Sequence, residues 1–188
     1  MAKGSSGGTS SSWRNKTNTV TPGAGRLIDA IQSGKYQKMD YEKQSKLYDD
    51  AAFESQRLNI KDAEERYTPE QLQALAYYHS SLFDDMNTSL RKGGDGGKYT
   101  KVLDGMFDHT LSKPVVVYRG TEKAPIRGAD KAFQSTSLSA AKAEYFTNGS
   151  KHLHAYRLPA GTKIIYLGGS EEEIILPRGF NLSKYRIK

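Results

Sequence analysis

Lys113-Pro114-Val115-Val116-Val117-Tyr118-Arg119-Gly120 is the stretch at which the chain changes its period. A run of three valines and a tyrosine is too short for a helix and apolar on both faces, so it reads as a buried strand that closes on an arginine and a glycine. Downstream, Phe133 to Leu138, His152 to Leu158, Thr162 to Tyr166, Glu173 to Leu176 and Phe180 to Ile187 read as further strands. Turns at Asn148-Gly149, Pro159-Ala160-Gly161, Gly168-Gly169 and Pro177-Arg178-Gly179 separate them. Ser139 caps a short helix ending near Phe146. Upstream, the apolar residues recur at helical spacing. Helices first and strands second make an α+β chain, not alternating βαβ units.

In the helical half, Arg26 to about Glu65 carries helical patterns broken at Gly34, with Leu27, Ile28 and Ile31 on one face. Thr68-Pro69-Glu70-Gln71 is a capping box with proline at the first helical position. Leu72, Leu75, Tyr78, Leu82, Met86 and Leu90 follow at steps of three or four, which predicts one long amphipathic helix ended by Gly93-Gly94. Val102, Leu103, Met106 and Phe107 mark a shorter one. Residues 1–25 are rich in Gly, Ser, Thr and Asn and contain no acidic residue, so they are expected to be a disordered tail. Trp13, the single tryptophan, lies within it. Residues 26–188 are expected to form one domain.

The chain has 188 residues, 36% hydrophobic and 26% charged, without cysteine. Disulfide scaffolds, thiolate metal sites and cysteine nucleophiles are therefore excluded. No window approaches the roughly 18 apolar residues of a membrane span. The N-terminus has no apolar core of a secretory signal, so action in the cytosol of the host or of a target cell is expected. The net charge of +7 is unevenly spread. Residues 1–97 hold 13 basic and 13 acidic residues and residues 98–188 hold 15 and 8, so the whole excess lies in the second half. That asymmetry suggests an anionic ligand or partner there, or a basic solubilising surface.

Several common motifs are absent. Gly96-Gly97-Lys98-Tyr99 lacks the hydroxyl residue and the preceding strand of a phosphate-binding loop and reads as a link between helices. His152 and His154 share one strand face without a third ligand nearby, so no metal site is expected. Three features of the basic half do carry chemistry. Arg119 ends a buried strand, where a guanidinium suits a diphosphate. Ser135-Thr136-Ser137 places alternating hydroxyls on a strand. Glu171-Glu172-Glu173 opens the apolar strand Ile174-Ile175-Leu176, with Glu171 and Glu173 on one face and Glu172 on the other. Carboxylates there cost repulsion and desolvation, which asks for a functional reason.

Tyr118-Arg119-Gly120, then Phe133-Gln134-Ser135-Thr136-Ser137, then Glu171-Glu172-Glu173-Ile174-Ile175-Leu176-Pro177-Arg178-Gly179 resembles the signature of the Arg-Ser-Glu class of mono-ADP-ribosyltransferases. The helix segment Phe83-Asp84-Asp85-Met86-Asn87-Thr88-Ser89-Leu90-Arg91 is similar to that of the enzymatic components of clostridial binary toxins. The likeness extends to phage ADP-ribosyltransferases and covers about residues 66–188. It implies two packed, mainly antiparallel β-sheets with helices around them and NAD as co-substrate in the cleft between them.

The resemblance also implies residue roles. Arg119 binds the phosphate and nicotinamide-ribose region, the Gly120 backbone holds the carboxamide, and Arg91 reaches the phosphates, with Asn87 beside it in the cofactor-binding set. Ser135 positions the catalytic glutamate. Glu173 bonds the ribose 2′-hydroxyl and stabilises the oxocarbenium ion, and Glu171 orients or deprotonates the acceptor. Phe146 is a candidate to stack on nicotinamide. A glutamate at position 171 implies arginine acceptors on target proteins, with automodification among them.

The chain departs from the family pattern in two places. Phe83 stands where relatives often carry tyrosine. The turn before Glu171 is short and lacks the usual aromatic, Tyr166 being nearest. The alternatives are NAD glycohydrolysis, ADP-ribosylation of nucleic acid, and a non-enzymatic binding protein on the same fold.

Overall fold

The computed structural model of the chain describes residues 17–168 and 172–188. The remaining residues of the expected tail, Trp13 included, lie outside the described residues, and so does Glu171. The first helix, α1 (Pro22–Gln32), opens four residues before Arg26. The Thr21 hydroxyl accepts the Ala24 N–H and proline follows at the first helical position, a start signal inside a stretch whose composition reads as tail. Thr17 is buried, and its carbonyl accepts the Val116 N–H. Helix α2 (Tyr41–Phe53) and the single turn α3 (Ala63–Arg66) follow.

The capping box forms as read. The Thr68 hydroxyl accepts from Gln71 N–H at 3.3 Å and the Gln71 side chain accepts from Thr68 N–H at 3.0 Å, opening α4 (Pro69–His79). The single long helix does not form. Helix α4 stops at His79, and α5 (Phe83–Arg91) starts afresh. The Ser80 hydroxyl donates to the Tyr77 carbonyl at 2.7 Å and accepts the Leu82 N–H at 3.2 Å, offering the backbone an alternative to the next helical turn. Leu82, expected in the buried stripe, is 42% exposed, whereas Met86 and Leu90 are buried. Helix α6 (Thr100–Asp104) completes the helical half.

The strands are β1 (His109–Thr110), β2 (Val115–Thr121), β3 (Gln134–Ser137), β4 (His152–Leu158), β5 (Lys163–Gly168) and β6 (Glu173–Leu176), with α7 (Ala140–Tyr145) between β3 and β4. All pairings are antiparallel, in the order β1-β5-β6-β3-β2-β4. The α+β class is as expected. Where two packed sheets were anticipated, the six strands form one continuous hydrogen-bonded order, joined at its middle by the β3–β6 pair. Alternate residues explain the arrangement. Val115 and Val117 of β2 share a buried cluster with Ile164 and Tyr166 of β5 and with Ile174 and Leu176 of β6. On the opposite faces, Val116 and Tyr118 pack under α1, α2 and α7, while Ile165 and Ile175 pack under α4, α5 and α6. Both faces are covered, so β2 and β6 are apolar almost throughout.

The segment Phe180 to Ile187 is not a strand. It forms a 3₁₀ turn at Leu182–Tyr185 and touches β4 at the single bridge Tyr156–Arg186. The Phe180 and Tyr185 rings, which alternation would set along a strand, stack on each other at 5.5 Å across that turn. Among the described residues no helix is long and apolar enough to cross a membrane.

Candidate active site

Strand β3 lies beside β6 with Ser137 opposite Glu173 and Ser135 opposite Ile175. Glu173 is therefore fixed at the start of a central strand, and it is 9% exposed. On the other side β5 meets β6 with a register shift between Tyr166 and Gly168. Glu172 sits at φ +49°, the left-handed region, so the alternation that sent Glu172 opposite to its neighbours ends before the strand begins. Its side chain is buried and its Oε1 accepts from Arg57 Nε at 3.2 Å. Burial pushes the Glu172 carboxyl above its usual range despite Arg57.

The last turn of α4 closes over this strand pair. Tyr78 OH lies 3.0 Å from Ser135 Oγ, and His79 Nε2 lies 2.6 Å from Glu173 Oε2. Burial raises the Tyr78 phenol well above its ordinary value, so it stays protonated and able to donate. Ser135, which the family likeness assigns to Glu173, here meets Tyr78, and among the described residues His79 is the group paired with Glu173.

Arg119 lies two residues before the end of β2, opposite His154 of β4, so the strand runs past the arginine and glycine on which it was expected to close, and Arg119 donates from Nη1 to the Ser135 carbonyl. Burial lowers its hold on a proton from an ordinary value so high that the charge persists. Among the described residues it forms no ion pair. It lines a cleft of about 300 Å³ together with Arg91, Lys123, Asp130, Gln134 and Tyr156. Glu173 and His79 do not line this cleft. Arg119 links the two regions through Ser135.

Arg91, the last residue of α5, is held by Asp130 in a two-pronged pair, Nε to Oδ1 at 3.1 Å and Nη2 to Oδ2 at 3.0 Å. Asp130 is itself fixed. Its Oδ1 accepts the Ala132 N–H at 3.0 Å and its carbonyl accepts the Gly179 N–H at 2.6 Å. The Pro177-Arg178-Gly179 turn thus braces the loop that orients Arg91, while Arg178 is tied to Asp104 of α6.

Asn87 is buried against Tyr78, and its Oδ1 has no hydrogen-bond partner among the described residues. Gly120 has a packing reason of its own. A Cβ there would overlap the Ala143 carbonyl and lie 3.0 Å from Thr147 Cγ2, so glycine lets α7 approach β2. Phe146, at the C-cap of α7, is 63% exposed, meets Tyr145 edge-on and does not line the cleft.

The sequence reading missed Tyr78, His79, Asp130 and Arg57 as members of the site. A local signal existed for the first two, since Ser80-Ser81 follows them and serines end helices. For Asp130 and Arg57 there was none, because only tertiary contacts recruit them.

No family model matches the chain, and no curated protein does. Solved structures do. The chain is similar to Plx2a, an ADP-ribosyltransferase toxin from Paenibacillus larvae, at 20% identity over 62% of this chain and 76% of that one, with a TM-score of 0.49. It is similar to exoenzyme S from Pseudomonas aeruginosa, solved with human 14-3-3 protein beta and carba-NAD, at 17% identity over 81% of this chain and 77% of that one, with a TM-score of 0.47. A third is the enzymatic component C2-I of the C2 toxin from Clostridium botulinum, at 18% identity over 62% of this chain and 38% of that one, with a TM-score of 0.48. Of the three, the first is named an ADP-ribosyltransferase toxin.

Proposed function

We propose that this chain is an NAD-dependent mono-ADP-ribosyltransferase that moves ADP-ribose from NAD to arginine side chains of target proteins. The observation that carries the reading is Arg119. A guanidinium anchored by a strand carbonyl, lining a cleft and lacking a carboxylate partner among the described residues, is built to receive an anion. Lys123 adds a second positive charge to the cleft, whereas Arg91 is already balanced by Asp130. A dinucleotide diphosphate meets that need, so the residues present fit NAD as co-substrate.

The chemistry follows from the charges. Breaking the N-glycosidic bond sends its electron pair to the nicotinamide nitrogen, which leaves neutral, so no general acid is required. Positive charge develops on the ribose. A carboxylate fixed in advance at Glu173 stabilises that charge more in the transition state than in the ground state. An acceptor guanidinium then bonds the anomeric carbon through nitrogen and loses a proton, a step assigned to Glu171. Asn87 Oδ1, an acceptor without a partner among the described residues, suits a ribose hydroxyl or the nicotinamide carboxamide.

The test is incubation of the purified chain with labelled NAD and a cell lysate. Label on discrete protein bands, released by an arginine-specific ADP-ribosyl hydrolase and lost with Glu171→Gln, is the expected result. Nicotinamide release without protein label would replace transfer by glycohydrolysis.

A further inference from the structure

The Glu173 carboxylate is almost wholly buried, and a buried carboxylate takes its orientation from the groups that bond it. Among the described residues the group paired with it is His79, with Nε2 at 2.6 Å from Oε2. No described residue donates to Oε1. His79 is the last residue of α4, 36% exposed at its side chain, with its backbone fixed where the Ser80 hydroxyl ends the helix. The helix C-terminus favours hydrogen-bond donors and cations, a setting that suits an imidazole N–H facing Glu173. Tyr78, one residue earlier, ties the same turn to Ser135 at 3.0 Å. One helical turn therefore grips both strands that carry the site.

We propose that His79 is a positioning residue for Glu173: its Nε2–H donates to Oε2 and leaves Oε1 as the oxygen that meets the ribose. This inference rests on the reading of Glu173 as the group that stabilises the ribosyl cation. A carboxylate rotated out of place still occupies the site but no longer faces the charge as it develops. The loss then falls on turnover and spares substrate binding.

Two measurements test it. Steady-state nicotinamide release is compared for the wild type, His79→Leu and His79→Gln, the last keeping an N–H donor at similar reach. The expected result is a kcat for His79→Leu about ten-fold or more below wild type with KM for NAD within about two-fold, and substantial recovery in His79→Gln. An unchanged kcat in His79→Leu, an effect on KM alone, or equal losses in both variants overturns the proposal. The second measurement does not depend on activity. The His79 Nε2–H resonance, assigned by its loss in His79→Gln, is expected to move in Glu173→Gln. A resonance indifferent to Glu173 overturns the pairing. If the folded wild type releases no nicotinamide while the resonance does respond to Glu173, it is the transferase reading that fails, and the pair stands without a catalytic task.

Discussion

The phenolic oxygen of Tyr78 and the hydroxyl of Ser135 are 3.0 Å apart, and this contact joins the last turn of α4 to the strand on which Arg119 leans. Arg119 bonds the carbonyl of the same serine. The site is thus a chain of contacts, from the cleft through Arg119 and Ser135 to Tyr78, and from the next residue, His79, to Glu173.

Tyr78→Phe removes the phenolic hydroxyl that meets Ser135 and Asn87 and leaves the ring in place. It is expected to cost about 1 kcal/mol of stability. Chemical denaturation reads that loss, and NAD turnover is expected to fall with it, because Ser135 loses its tie to α4.

Asp130→Asn tests the brace on Arg91. The amide keeps an acceptor for one prong of the pair but not both, and it removes the charge that balances the guanidinium. The side chain of Asp130 is 2% exposed, so stability is expected to drop by about 1–3 kcal/mol. NAD binding by titration calorimetry is expected to weaken, since Arg91 loses its orientation. Unaltered affinity would separate Arg91 from the ligand.

His154 predicts an acid-sensitive fold. Its Nδ1 accepts from Gln32 Nε2 at 3.0 Å and from Arg186 Nη2 at 2.7 Å, an arrangement only the neutral ring can make. Burial first, and then the Arg186 charge, push its pKa from 6.5 down to about 4. Between these values the unfolded chain takes up the proton and the folded one resists it. The contribution is complete above pH 6.5 and is lost as pH falls toward about 4. Denaturant midpoints measured across that range are expected to decline, and to decline less in His154→Asn.

Much of the fold was readable because it is local. The Thr68 to Gln71 box involves four consecutive residues, and the valine run is a strand whatever surrounds it. The errors came where one side chain outbid a pattern. Ser80 ended a helix whose apolar spacing continued, and the Phe180–Tyr185 stack turned an alternating segment into a 3₁₀ turn. Of the candidate site, the motif order names Arg119, Ser135 and Glu173, and the structure sets Tyr78 beside Ser135, His79 beside Glu173 and Asp130 on Arg91, contacts between residues far apart in the chain.

Gly120→Ala probes the approach of α7 to β2. The added methyl would overlap the Ala143 carbonyl, which belongs to backbone and cannot rotate away. A loss of about 1–3 kcal/mol is expected, seen as a lower melting temperature.

The most direct measurement is nicotinamide release from NAD by the purified chain, followed by chromatography, for wild type, Arg119→Ala and Glu173→Gln. The wild type is expected to turn NAD over. Glu173→Gln is expected to show a kcat about 100-fold or more lower with KM nearly unchanged, and Arg119→Ala weakened NAD binding. A folded wild type that leaves NAD intact, or a Glu173→Gln variant that turns over as fast as wild type, would contradict the transferase reading.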